Sequence, residues 1–393
     1  SGLISFLLIE KMKKKYASID VLLLKRLFFY HLLLSLAYYG YALFNPSDSY
    51  AYYNKVLLGY RGTTWGSYYG TSTTFIEFIG YPFIRYFFFS YEAVMALFSF
   101  IGFLGFIYFY IFFKENLRFR HSFMRMDLLT LIFFLPNLHF WSASFGKGSL
   151  IFFGLGLFFF GISRLSQRFL AVIIGGFIIY HVRPHVMLVI LISSCIGFMF
   201  TTKGVSVYLR IIFLIGVAIA FYYIYGDVLT LIGIEEGELV SEGLDLSHRA
   251  AELTKATSGV DITSYNLPFQ IFTFLYRPLF LDAPGILGII VSFENVIYLL
   301  LTLKLFNLKC IRFLPTSNFL VKTALLSFLT VTIALAQIAG NLGLAMRQKS
   351  QVMILLLFVI ITFLDAQMMH RYRAFMARRT KHLRILQSPP VRG

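Results

Sequence analysis

VLLLKRLFFYHLLLSLAYYGYALFNPSDSYAYYNK, residues 21–55, decides the class of this chain. Its first part, 21–44, is an apolar run that as a helix would reach about 36 Å, enough to cross about 30 Å of hydrocarbon. The run stops at Asn45-Pro46. From there to about residue 90 the composition suits neither water nor lipid. One carboxylate, Asp48, follows directly outside the apolar run, and then come two amphipathic stretches able to lie along a membrane surface.

The same kind of apolar window recurs along the chain. Of 393 residues, 58% are hydrophobic and 19% aromatic, which excludes an ordinary soluble domain. The expectation is an all-α, polytopic membrane protein of about ten spans. They lie near 21–44, 91–113, 128–141, 149–163, 169–182, 185–201, 211–232, 285–306, 319–340 and 350–368. Residues 1–20 form an N-terminal segment, 21–368 the transmembrane domain with outward loops at 45–90 and 233–284, and 369–393 a basic tail. The 46 Phe and 25 Tyr fit lipid-facing surfaces and interfacial belts better than nucleic-acid stacking.

The net charge of +17 gains meaning once divided by side. With ten spans, 25 of the 35 Lys and Arg fall on the side of the two termini, so both termini are placed in the cytoplasm. The basic tail reads as an orientation and anionic-lipid signal, not a nucleic-acid site. Lys11 to Lys15 precede a full-length span, as in an uncleaved first helix. Two cysteines, Cys195 and Cys310, make neither a disulfide framework nor a thiolate metal site.

Residues 128–201 hold four short apolar runs that pair as two hairpins. Their outward tips are PNLHFWSASFGKG and HVRPH. Helices this short hold their tips below the outer surface, where irregular backbone is tolerated only against protein or water. The expectation is a pocket open to the outside and sunk into the bilayer. The hydrophilic insertion 233–268, rich in Glu and Asp, reads either as a functional loop with a surface helix over 240–256 or as a solvated connector.

Arginines on the outward side are the candidates for chemistry. Arg183 sits at a hairpin tip, Arg277 in Tyr-Arg-Pro where the chain re-enters the membrane, and Arg347 at the last outward turn. A guanidinium at a dehydrated site suits bidentate phosphate or diphosphate. Asp48 is either the N-cap of a helix starting near Ser49 or a general base for an acceptor hydroxyl. Tyr52, His139, Lys147, His185 and Asp282 are expected to line the pocket. Metal ligation is not expected: His181 and His185 are four apart, but Pro184 interrupts a common helical face. Glu294, mid-span in VSFENVIYLL, is either functional or paired with a neighbouring helix.

The layout of residues 20–165 resembles the GT-C superfamily of membrane glycosyltransferases that use polyprenyl-phosphate-linked sugars. In that superfamily an acidic catalytic residue follows the first span, then two juxtamembrane helices, then span two. Asp48 in SDSYAYY matches the acidic position, residues 49–60 and 72–87 fit the two surface helices, and Tyr81-Pro82 leads towards span two. The superfamily's frequent acid pair is missing, so the resemblance implies no cofactor, a divalent metal being the alternative. Arg183-Pro-His185, Tyr276-Arg-Pro278 and Asn341 to Arg347 are similar in kind to segments of O-antigen polymerases and ligases. Both resemblances imply sugar transfer at the outer face of a bacterial inner membrane. The partners implied are a polyprenyl-linked sugar and membrane lipids, with no nucleic acid and no identified protein partner. The non-enzymatic alternative is a transporter or flippase of an anionic lipid or solute.

Overall fold

The computed structural model describes residues 2–16, 19–201, 207–232, 259–262 and 264–387. Among them the only sheet is one hairpin of two two-residue strands, β1 (Ser122–Phe123) and β2 (Met126–Asp127). Six of the described helices are long and apolar enough to cross a membrane: Val21–Phe44 (α2), Tyr91–Asn116 (α5), Leu165–Val182 (α9), Gly285–Leu303 (α13), Phe319–Ala336 (α15) and the first part of Leu342–Gln387 (α16). The chain is a helical membrane protein. Shorter apolar helices include Lys147–Ile162 (α8), Pro184–Met199 (α10) and Leu267–Tyr276 (α12). Gly2–Lys15 (α1), Val207–Ile232 (α11) and Leu308–Thr316 (α14) accompany them.

Helix starts follow from capping side chains. Asp20 accepts from Leu23 N at 3.0 Å to begin α2, and Asn266 and Asn318 do the same for α12 and α15. The chain leaves α2 into α3 (Asp48–Leu57), capped by Ser47, so Asp48 is the first helical residue and not the cap. The second surface helix, α4 (Thr73–Tyr81), ends at Pro82 in one π turn before α5. The carboxylate is therefore left free of backbone duty.

Beyond Lys25 and Arg26 near its start, α2 has apolar residues on every face, and only packing separates those faces. Leu24, Leu27, Phe28, His31, Ser35 and Tyr38 are buried in protein, while Leu22, Phe29, Leu33, Leu36 and Leu43 are exposed on the surface that meets lipid. α16 behaves differently: all ten residues from Val352 to Ile361 are buried. It is a central pillar contacting α7 (Pro136–Ser142), α8, α12, α13 and α15. It also runs without interruption to Gln387, so the basic tail expected from residue 369 begins as a continuation of this helix. Most of the 233–268 insertion, with the helix expected over 240–256, lies outside the described residues. Its last part returns beside the start of α16, where Val260 N donates to Gly340 O at 2.9 Å.

The apolar run 128–141 is not one helix. It breaks into α6 (Leu128–Phe133) and α7 because Pro136 forces the residue before it out of the helical region, and Leu135 is extended at φ −68°, ψ 123°. α7 is held from both sides by glycines. A methyl group at Gly102 of α5 would collide with the Ser142 carbonyl, and one at Gly148 of α8 with the Trp141 carbonyl. α5 and α8 approach closely at Gly105 and Gly156, where a Cβ added to Gly156 would lie 2.7 Å from the Gly105 backbone oxygen. Such small-residue contacts drive helix association where water supplies no hydrophobic force. Gly148→Ala is expected to destabilise the fold by about 3 kcal/mol, because the obstructing atom is backbone and cannot rotate away. Thermal melts of the detergent-solubilised variant check this; an unchanged midpoint would mean that α7 is not clamped.

Candidate anion-binding site

The first outward loop folds over the tips of both hairpins. Ser72 N donates to His181 O at 2.6 Å, and Tyr69 OH meets His181 Nε2 at 2.9 Å. The His181 ring lies 4.6 Å from Phe75 and 4.0 Å from Phe177. Lys147, first residue of α8, donates to Ser72 Oγ at 2.8 Å. Inside the loop, buried Glu77 of α4 receives Arg61 Nε at 2.5 Å with Lys55 Nζ at 4.0 Å. That internal ion cluster holds α3 to α4, leaving Asp48 at the loop's inner end.

Asp48 Oδ2 accepts from Arg347 Nη1, joining residues 299 apart in sequence. The carboxylate side chain is 52% exposed and the guanidinium 18%. The Arg347 guanidinium also lies 5.8 Å from the centre of the Trp141 ring, on the clamped helix α7. Tyr38 of α2 packs on Trp141 at 6.0 Å, and Tyr52 of α3 on Phe145 at 6.1 Å. Burial, then the charge of Asp48, push the Tyr52 phenol up, so it stays protonated and able to donate.

Arg183 is the unusual member. It forms the single-residue turn between α9 and α10, and only 7% of it is exposed. Among the described residues no carboxylate pairs with it, and its Nε has no hydrogen-bond partner. The charges near it are the like charges of Arg347 and Lys147, and the neutral Tyr52 phenol lies within reach. Burial, then Arg347, draw the Arg183 guanidinium down to about 10, which still leaves it charged at neutral pH. Trp141 Nε1 is likewise buried without a partner among the described residues. Lys147 senses Arg183, Arg347, Asp48 and Glu77. Arg183, Arg347, Lys147 and Asp48 thus share one neighbourhood, with Glu77 beside it taken up by Arg61, and two buried N–H donors are unused. Buried donors of this kind are normally satisfied, so the arrangement suits an anion that accepts from several N–H groups at once.

The other expected residues fall elsewhere. Arg277, expected beside Arg183 and Arg347, is neutralised by Asp282, whose Oδ1 also receives Leu279 N at 2.5 Å. The Arg277 carbonyl accepts from Lys349 Nζ at 2.9 Å, and Lys349 also donates to Asn295 Oδ1 at 2.6 Å. Arg347 and Lys349 are two residues apart on α16, so they leave its axis about 200° apart. Arg277 and Asp282 therefore form a second polar site on the other side of the pillar. His139 does not line the pocket: it is 0% exposed, stacked 3.9 Å from Phe106, with Nδ1 2.9 Å from His31 Nδ1. Half-buried His185 follows Arg183 by two residues at the start of α10. Glu294 is buried and paired: it accepts from Asn137 N at 2.8 Å and Tyr298 OH at 2.5 Å, anchoring the start of α7.

Sequence reasoning passed over Tyr38 and His31, whose only signal was a polar atom inside an apolar span, and gave Trp141 no role of its own. Among the described residues no group of three His, Cys, Asp or Glu could hold a metal ion. Comparison with protein-family models, with curated proteins and with solved structures finds no match.

Proposed function

We propose that this chain transfers a sugar from a polyprenyl-phosphate- or diphosphate-linked donor at the outer face of a bacterial inner membrane, in the manner of a GT-C glycosyltransferase. The observation that carries the reading is Asp48 in the same cluster as the buried, unneutralised Arg183. With Glu77 neutralised by Arg61, the three cations Arg183, Arg347 and Lys147 against Asp48 complement a dianion better than a monoanion, which favours a diphosphate diester over a monophosphate diester. Arg183, Arg347 and Lys147 would hold the phosphoryl oxygens, and the polyprenyl chain would leave sideways between the membrane-spanning helices.

In the transfer, the acceptor hydroxyl oxygen bonds to the anomeric carbon while the bond from that carbon to the phosphate oxygen breaks. The electron pair leaves with the polyprenyl phosphate or diphosphate, and the hydroxyl proton passes to Asp48. Stabilising the leaving charge in a site poor in water is the largest contribution. The donor phosphate would draw Arg347 away from Asp48, so that the carboxylate becomes free to accept a proton only when donor is present. The O-antigen or exopolysaccharide polymerase reading uses the same steps with a glycan acceptor.

One observation favours a non-enzymatic reading: Asp48 is already paired with Arg347, as expected of a binding site without a base. Purified chain in nanodiscs, incubated with radiolabelled lipid-linked sugar, separates the two. A new glycosidic linkage is expected. Movement of label across the bilayer without consumption of donor would overturn the transferase reading in favour of a transporter or flippase.

A further inference from the structure

We infer that a second phosphate site, for an anionic phospholipid headgroup, lies at the opposite end of the bundle between α1, α5, α8 and α9. Lys15, Tyr16, Lys114, Glu115, Arg164 and Arg168 surround a cavity of about 510 Å³ there. α5 runs from Tyr91, bonded to Ser49 beside Asp48, down to Lys114 and Glu115, so the length of a span separates the two sites.

The floor of the cavity is rigid. The Arg168 guanidinium is stacked 3.8 Å from the Phe160 ring centre and lies 5.4 Å from that of Tyr16. Both of its terminal nitrogens bind Glu115 at 2.8 Å, and its side chain is 8% exposed. Arg168 itself departs from helical geometry, at φ −134° and ψ 26°, which turns it into the cavity at the start of α9. Glu115 is thereby committed: it takes Arg168 bidentately and has Arg164 at 3.4 Å. Lys15 and Lys114 lie over the rings of Tyr16 and Tyr110 and, among the described residues, have no carboxylate partner. Four cations thus face one acid; Lys15 and Arg164 are exposed to solvent and Lys114 is half-buried.

The surface just beyond is apolar. Phe169, Leu170, Ile173, Ile174 and Phe177 are each at least 50% exposed along α9, beginning at the residue after Arg168. A headgroup phosphate in the cavity would place its acyl chains along that face. This continuity from cation cavity to exposed apolar helix points to a lipid over a soluble anion. Basic pockets between spans are a recurring way of binding such headgroups.

The test uses the full chain in phosphatidylcholine nanodiscs doped with phosphatidylglycerol. Lipid retained through purification is read by native mass spectrometry, and titration of phosphatidylglycerol gives an affinity. Wild type is expected to retain phosphatidylglycerol selectively. Each charge removed should weaken binding about fivefold, so K15A/K114A/R164A should lose about a hundredfold. If the triple variant is not monodisperse, Arg164→Ala alone should show the fivefold loss. Equal retention by wild type and variants, or no preference over phosphatidylcholine, would overturn the site. Competition by millimolar inorganic phosphate as effective as by phosphatidylglycerol would overturn the lipid assignment.

Discussion

Arg183→Met is expected to raise the thermal stability of the purified protein while abolishing donor binding. Arg183 is 7% exposed, lacks a carboxylate partner among the described residues and leaves its Nε unbonded. An uncompensated buried charge costs several kcal/mol, and apolar replacements of buried charged groups often stabilise by about 1–4 kcal/mol. Methionine keeps much of the length and fills the same space. The backbone carbonyl of residue 183, which accepts from Val186 N at 3.0 Å, is untouched. A fold does not retain such a cost without a use for it. Removing a positively charged donor from a site that stabilises developing phosphate charge costs about 10²- to 10³-fold in rate. A melting temperature that rises with transfer lost is the predicted pair of results. A lower melting temperature with transfer intact would show that Arg183 serves the fold and not the anion.

Asp48→Asn is expected to reduce transfer by about 10²- to 10⁴-fold, the contribution of a positioned general base, while donor binding is kept or tightened. The amide oxygen of the variant would still accept a hydrogen bond from Arg347, but it carries no charge to hold the guanidinium. More of the Arg347 charge is then available to the phosphate. Rate and affinity should therefore move in opposite directions, which loss of folding does not produce. Turnover of labelled lipid-linked sugar and a titration with polyprenyl phosphate measure the two. Full turnover in the variant would remove Asp48 from the chemistry and raise the transport reading.

The class of the molecule was legible because the signal is local. Apolar runs such as 21–44 and 91–113 are each long enough to span, and Pro46, Pro136 and Pro184 mark where helices begin or cannot continue. Asp48 at the first exit, and Arg183 at a hairpin tip, could be placed by counting residues. Arg277 was misplaced for a reason counting cannot reach. Its charge is neutralised by Asp282 only five residues on, and it lies across α16 from Arg347. His139 was misplaced because a histidine near a hairpin tip looks alike in sequence whether its ring faces water or Phe106.

Local composition settles the partition out of water: which segments are apolar enough to enter a membrane, where their ends lie, and which cations sit at those ends. Hydrophobicity carries no more than that, because lipid and the interior of a membrane protein are equally apolar. It could not say that Val352 to Ile361 meets protein on every side while Phe169, Leu170 and Ile173 meet lipid. Packing in three dimensions makes that distinction, through backbone approaches such as Gly102 on Ser142, Gly148 on Trp141 and Gly105 on Gly156. Those approaches seat α7 against the head of α16, and so bring Arg347 to Asp48 across 299 residues. The juxtaposition depends on shape and on long-range charge, neither of which is written in any local stretch of the chain.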